Sequence, residues 1–225
     1  MSDGSAATTV VLVRHGESVV TVRRVIGGPL TCAGLSDLGR RQVERLRARI
    51  EETGELDGAT ALYSSGYPRA IETAEIIAPT LDLPIQNDTR FGEHDPGPEC
   101  DGLSFQEFVD RYGMPDWNGD PHGQTFPGGE TLAAFHFRVG AALSDVIGEN
   151  EGGTIVISCH GGVVDAVFRT LLRLPPTGGF ELHTVNTSLT EFVRTKPGRW
   201  RLTRYNDSAH LAGLPKETPR EGAGV

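Results

Sequence analysis

Hydrophobic positions along the chain fall into two rhythms that take turns. Thr8 to Val13, Ala59 to Tyr63 and Thr154 to Ser158 are short, mostly apolar runs, the pattern of buried strands, and Leu83 to Asn87 offers a further one. Between them the spacing turns helical. Leu38, Val43, Leu46 and Ile50 recur through Ser36 to Thr53, Ile71, Ala74, Ile77 and Ala78 follow Pro68, and Phe135, Val139, Leu143 and Val146 run through Thr131 to Ile147. The charges within the first of these segments (Arg40, Arg41, Glu44, Arg45, Arg47 and Arg49) read as one solvated helix face. Pro68 suits a first helical turn. A short helix over Phe105 to Tyr112 and another reaching Leu172 complete the set. Ser188 to Val193 and Trp200 to Tyr205 flank Lys196-Pro197-Gly198 as a closing hairpin. Phe91 to Gly102 and Met114 to Gly129, rich in Gly and Pro, read as loops, the second long enough to be functional or mobile. The tail after His210 is expected to fray.

Strands alternating with helices predict an α/β fold, a three-layer sandwich with a mostly parallel central sheet flanked by helices. No linker divides the 225 residues, so residues 1–225 read as one domain, with a core over about 8–211 and flexible tails. Apolar residues at 37% suffice for a core at this length. A net charge of −9 argues against nucleic-acid or membrane-surface partners, which a polyanion-repelling chain would not hold. It leaves room for a small anion where arginines cluster. Cys32, Cys100 and Cys159 are odd in number and scattered, which favours reduced thiols. With no signal-peptide pattern and no long apolar run, the expectation is a cytoplasmic protein. No interface signature stands out, so a homo-oligomer stays open.

In parallel sheets ligands bind beyond the carboxyl ends of strands. Arg14-His15 and Cys159-His160 each follow a strand and precede glycine, so the two histidines can meet in one cleft. Breaking a phosphate ester without a metal needs charge neutralised on the phosphoryl oxygens, a nucleophile in line and a proton for the leaving oxygen. Arginine suits the first task, neutral imidazole the second and a carboxylic acid the third. Arg14, His15, Arg69, Glu93 and His160 are the candidates. Other designs lack their motifs. The positions six residues after the cysteines hold Leu38, Gln106 and Asp165 rather than arginine, and neither Asp-x-Asp, Gly-x-x-x-x-Gly-Lys nor Gly-x-Ser-x-Gly occurs. Ligand clusters for zinc or paired metals are missing as well, so neither metal nor cofactor is expected. His94, His122, His136, His183 and His210 read as structural, and Cys159 as a buried, inert thiol.

Leu12-Val13-Arg14-His15-Gly16-Glu17-Ser18 resembles the Arg-His-Gly signature of the histidine phosphatase superfamily, the phosphoglycerate mutase-like proteins. Ser64-Ser65-Gly66-Tyr67-Pro68-Arg69-Ala70, Glu93 with the loop to Phe105, Pro127-Gly128-Gly129-Glu130 and Ser158-Cys159-His160-Gly161-Gly162-Val163 resemble later motifs in the family's order. Asn186-Thr187-Ser188 and Asn206 to Leu211 extend the likeness, which spans residues 8–211. The resemblance implies a phosphoglycerate mutase-like fold, a nucleophile at His15, phosphoryl clamps at Arg14, Arg69 and His160, and a proton donor at Glu93. It adds Gly161 as a phosphoryl contact and Thr21, where the family often carries Asn, as a shorter donor. The expected reaction is hydrolysis of a small phosphorylated metabolite, with inorganic phosphate as product. Phosphoglycerate mutase-type transfer and a non-catalytic phosphate-binding module are the alternatives. Glu99, Asp101, Asp116 and Asp120 are expected to rim the cleft and disfavour a second anionic group on the substrate.

Overall fold

The computed structural model describes residues 7–216 and 218. The chain ends read as flexible tails, residues 1–6, 217 and 219–225, lie outside the described residues. Six strands form one sheet in the order β3-β2-β4-β1-β5-β6: β1 (Thr9–Arg14), β2 (Ala59–Ser64), β3 (Ile85–Asn87), β4 (Thr154–Cys159), β5 (Leu189–Lys196) and β6 (Arg199–Asp207). Strands β1 to β4 are parallel, and β5 runs antiparallel to both β1 and β6. The expected sandwich and closing hairpin are therefore present, in a sheet that is mostly parallel and mixed at one edge.

Central strand β1 shows why its sequence carries no polar face. Val10 and Leu12 pack with Phe135, Val139, Val163 and Val167, while Val11 and Val13 pack with Val43, Leu46, Ile50 and Ile77. The first partners lie on α5 (Leu132–Glu149) and α6 (Gly161–Leu172), the second on α2 (Asp37–Thr53) and α3 (Pro68–Leu81). Each pair of helices thus covers one face, and alternate side chains of one strand serve two cores. Two helices are smaller. The four-residue α1 (Val19–Val22), not foreseen from the sequence, follows β1, and α4 (Phe105–Tyr112) opens with a capping box between Ser104 and Glu107.

Two details depart from expectation. Arg49 leaves the solvated face of α2 to pair with Glu55 and Asp207, each at 2.7 Å, because α2 packs against the 3-10 turn Ala209–Leu211 that follows Asp207. In the described part of the segment after His210, Ala209–Leu211 form a 3-10 turn, and the Thr218 amide donates to buried Glu17 Oε2 at 2.7 Å. Glu17 Oε1 accepts from Ser36 Oγ at 2.7 Å, and Ser36 in turn accepts from the Gly39 amide as the N-cap of α2.

The start of α2 lies against the backbone that follows β1. A Cβ on Gly16 would come within 2.6 Å of the Gly39 carbonyl oxygen, and one on Gly39 would overlap the Glu17 carbonyl. Glycine at position 39 is therefore needed for a close approach, not for helix formation. Gly39→Ala should destabilise the protein by about 1–3 kcal/mol through overpacking, although alanine favours an isolated helix by about 1 kcal/mol. Chemical denaturation of the two proteins decides the sign, and a stabilised variant would refute the contact.

Candidate active site

Parallel register brings the strand ends together. Arg14 of β1 pairs with Cys159 of β4, and Ser64 of β2 pairs with Ser158. The next residues continue the ladder, with His15 N donating to Cys159 O at 2.9 Å and Ser65 N to Ser158 O at 3.1 Å. His15, Ser65 and His160 consequently leave one edge of the sheet side by side. The His15 and His160 rings stand 5.1 Å apart between centroids. Arg69, the second residue of α3, reaches between them from the helix that follows β2.

The hydrogen bonds fix the state of both rings. His15 Nδ1 lies 2.6 Å from the Gly16 carbonyl oxygen, which can only accept, so Nδ1 carries the proton. Nε2 then holds a lone pair, and Arg69 Nε donates to it at 3.1 Å. The same Nε–H reaches His160 Nδ1 at 3.2 Å, leaving His160 Nε2 to donate to Ser65 Oγ at 2.7 Å. Burial and, after it, the electrostatic influence of Arg69, His160 and Arg14 push the His15 pKa well below the ordinary histidine range, against a smaller opposing pull from the Gly16 carbonyl. His15 is thus a neutral imidazole whose free nitrogen faces a guanidinium. Arg14 and Arg69 are 2% and 4% exposed, so an anion entering here would meet charges little screened by water.

Glu93 approaches from the loop after β3. Its Oε1 accepts from the His94 amide at 3.0 Å and its Oε2 from the Gly162 amide, in the first turn of α6, at 3.1 Å. Any side chain at position 162 would collide with this carboxylate, which explains the second glycine after His160. Arg138 of α5 locks the loop: it donates to the carbonyls of Arg90 at 2.7 Å and Gly92 at 3.1 Å while pairing twice with Glu130. Thr21 and Gly161 both line the cleft, and Thr21 Oγ1 sits 2.9 Å from Ser18 Oγ.

Four of the five expected residues, Arg14, His15, Arg69 and Glu93, and both added contacts border one cleft of about 830 Å³, while His160 is fully buried behind them and does not line it. Several supporting residues carry no sequence signal of their own. Asn186 Nδ2 donates to the His15 carbonyl at 2.7 Å, Thr73 Oγ1 accepts from Gly16 N at 3.2 Å, and the Tyr67 ring lies 4.6 Å from the Arg69 guanidinium carbon and 4.9 Å from His160. The Asn186-Thr187-Ser188 likeness could have flagged the first of these; tertiary packing alone supplies the others.

The expected acidic rim is not there. Glu99, Asp101, Asp116 and Asp120 do not line the cleft, and Asp101 is spent accepting from Gly28 N at 2.9 Å, Leu30 N at 2.6 Å and Thr31 Oγ1. His94, His136 and His183, read as structural, do line it, although His94 also donates Nε2–H to the Glu130 carbonyl at 2.7 Å. Cys159 is buried, with its thiol pKa pushed up by burial, as expected of an inert thiol. Among the described residues no group of three or more His, Cys, Asp or Glu is gathered as a metal site would need, and no helix is long and apolar enough to cross a membrane.

A three-layer α/β sheet that ends in two imidazoles sharing one guanidinium defines a narrow class of protein. The chain belongs to the histidine phosphatase superfamily (branch 1), whose profile matches residues 10–208. Phosphoglycerate mutase-like protein 4 of Arabidopsis thaliana is 30% identical over 206 residues, which cover 90% of this chain and 86% of that protein. Uncharacterized phosphatase PhoE of Bacillus subtilis is 31% identical over 217 residues, covering 93% of this chain and 100% of the relative. A mutant of phosphoserine phosphatase from Entamoeba histolytica, solved in complex with phosphoserine, superposes with a TM-score of 0.74 at 25% identity, over 91% of this chain and 99% of that one.

The electrostatics give a direct test. An ordinary histidine is about 90% protonated near pH 5.5. Long-range proton–nitrogen NMR of the free protein at that pH should show His15 still neutral, with Nδ1 protonated and Nε2 bare, because its pKa is lowered. A charged His15 ring there would contradict the hydrogen-bond assignment.

Proposed function

We propose that the chain hydrolyses small phosphate monoesters through a phosphohistidine at His15. The observation that carries this reading is the His15 Nε2 lone pair, kept unprotonated by the Nδ1–H bond to Gly16 and accepting only from Arg69 Nε at the edge of the cleft. Nε2 attacks phosphorus as the ester P–O bond breaks, and Glu93, entering as the carboxylic acid, gives its proton to the leaving oxygen. Arg14, Arg69 and His160 hold the phosphoryl oxygens, with Gly161 N–H and Thr21 at the margin. Water then loses a proton to the Glu93 carboxylate and attacks phosphorus, breaking the P–N bond and releasing inorganic phosphate. All bonds are made and broken with groups this site contains plus water, so neither metal nor cofactor enters the scheme. Three unpaired thiols at Cys32, Cys100 and Cys159 fit a reducing, cytoplasmic setting, with the whole chain working as one unit.

A second reading has one thing in its favour: several relatives are named for phosphoglycerate mutase. There the phosphoryl group would return from His15 to another hydroxyl of the substrate rather than to water. Assays of 3-phosphoglycerate with and without a bisphosphate primer separate the two, since primer-dependent interconversion without phosphate release belongs to the mutase alone.

For the hydrolase, p-nitrophenyl phosphate should be turned over in the presence of chelator, and His15→Ala should lower kcat by about 10⁴-fold or more. Activity surviving in that variant would remove His15 as the nucleophile. Glu93→Gln should slow alkyl phosphates by about 10²–10⁴ and p-nitrophenyl phosphate by less, because nitrophenolate leaves without a proton. Equal losses on both substrates would speak against Glu93 as the acid.

A further inference from the structure

The segment from Asn206 to Leu211 takes no part in the reaction scheme, yet the fold ties it to the nucleophile. It is hydrogen-bonded to the turn at residues 185–188: Asn206 Oδ1 accepts from the Val185 amide at 2.8 Å, and His210 Nε2 lies 2.8 Å from Thr187 Oγ1. That turn holds the backbone of Arg14 and His15. Thr187 N donates to the Arg14 carbonyl at 2.9 Å, Asn186 Nδ2 to the His15 carbonyl at 2.7 Å, and the Ser188 carbonyl accepts from Arg14 N at 3.2 Å.

The hold depends on a costly backbone. Thr187 is fully buried with φ of +58°, a left-handed conformation that a β-branched residue rarely adopts. Such strain persists only where the surroundings over-determine it. The hydroxyl shows what does so here. Thr187 Oγ1 gives its one proton to the Asn186 carbonyl at 2.7 Å, an atom that can only accept. Oγ1 must therefore accept from His210, whose Nε2 carries a proton and whose buried Nδ1 has no hydrogen-bond partner among the described residues. Burial, and after it the charge of Arg49, lowers the His210 pKa to about 4 against the pull of Asp207 and Glu55. Near pH 7 the ring is thus neutral, and its single N–H is the one given to Thr187. Arg49 of α2 also pairs with Asp207 and so anchors the segment from its other side.

We propose that His210 is a positioning residue for phosphoryl transfer: its Nε2–H holds Thr187 in the left-handed conformation, and through Thr187 and Asn186 it fixes the backbone that aims the His15 ring. The proposal rests on the reading of His15 as the nucleophile. His210 does not line the cleft and acts only through these neighbours. A nucleophile displaced by about 1 Å can lose about 10²-fold in rate, which bounds the effect.

Variants of the full chain test it. His210→Leu removes the donor and keeps the bulk, His210→Gln returns an amide N–H, and Thr187→Ala removes the acceptor. With p-nitrophenyl phosphate, His210→Leu should lower kcat by about 10–100-fold and change KM by less than about threefold, because the arginine clamps keep their places. His210→Gln should recover most of the loss. Combining His210→Leu with Thr187→Ala should cost no more than the worse single change, since both break one contact, whereas additive losses would overturn the route through Thr187. Nitrogen NMR of the free protein gives a reading independent of turnover: the His15 ring signals should shift in His210→Leu and return in His210→Gln. A folded His210→Leu protein with kcat and His15 signals unchanged would overturn the proposal, even if its melting temperature fell. Should His210→Leu fail to fold, Thr187→Ala must show the same loss of kcat and the same shifts, or the proposal falls. A wild type without turnover would remove the hydrolase and leave the His15 signals to decide the role of His210.

Discussion

One N–H bond, that of Arg69 Nε, holds the centre of this molecule in register by reaching His15 Nε2 and His160 Nδ1 together. A buried cation is tolerated only where neighbouring groups can accept from it, and here both acceptors are imidazole lone pairs. Were either ring to protonate on that nitrogen, donor would face donor beside a guanidinium. The contact therefore does two things at once. It keeps the proposed nucleophile neutral, and it leaves positive potential that a phosphoryl dianion is suited to cancel. Much of the surrounding structure serves this contact. Thr73 ties Gly16 to α3 by accepting from the Gly16 amide and donating to the Arg69 carbonyl at 2.8 Å. Ser158 Oγ donates to the Ala70 carbonyl at 2.8 Å and binds the first turn of α3 to β4.

How much of this the sequence reveals depends on whether a residue acts through its own position or through another's. Thr8 to Val13 reads as a buried strand because a strand covered on both faces has no place for a polar side chain. His15 and His160 read as a pair because strand, histidine and glycine follow one another locally, and parallel register does the rest. Arg138 is different. Its work is done on carbonyls 45 to 48 positions earlier in the chain, so nothing beside it in sequence hints at a clamp on the acid loop. Asn186 likewise supports His15 across 171 positions. The misplaced acidic rim has a physical cause of the same kind. Asp101 is close to Glu93 along the chain, but the Gly28 to Thr31 loop needs a carboxylate to satisfy its amides and takes Asp101 for itself.

Thr218 shows how a residue late in the chain can be held by a buried charge. Glu17 follows the His15-Gly16 turn and is 2% exposed, which a carboxylate tolerates only if its oxygens are occupied. Ser36 occupies one and the Thr218 amide the other. Thr218, which lies in the segment expected to fray, is thereby held beside the cleft, which it also lines. Fraying is set by backbone donors finding partners, not by distance from the end of the chain.

Reaction and selectivity are written into this fold by different means. The inner site is made of residues at the ends of β1 and β4 and in the first turns of α3 and α6, elements whose mutual placement is set by strand register and helix packing. A change of one residue in that register would turn every side chain to the opposite face, so the arrangement is either present or lost. The outer walls come mostly from loops: residues 114–129 with Trp117 and Phe126, and residues 173–184 with Phe180, the latter secured by Arg169. No ladder of hydrogen bonds relates one of these loops to the other, so their aromatic residues can be exchanged without disturbing the two imidazoles.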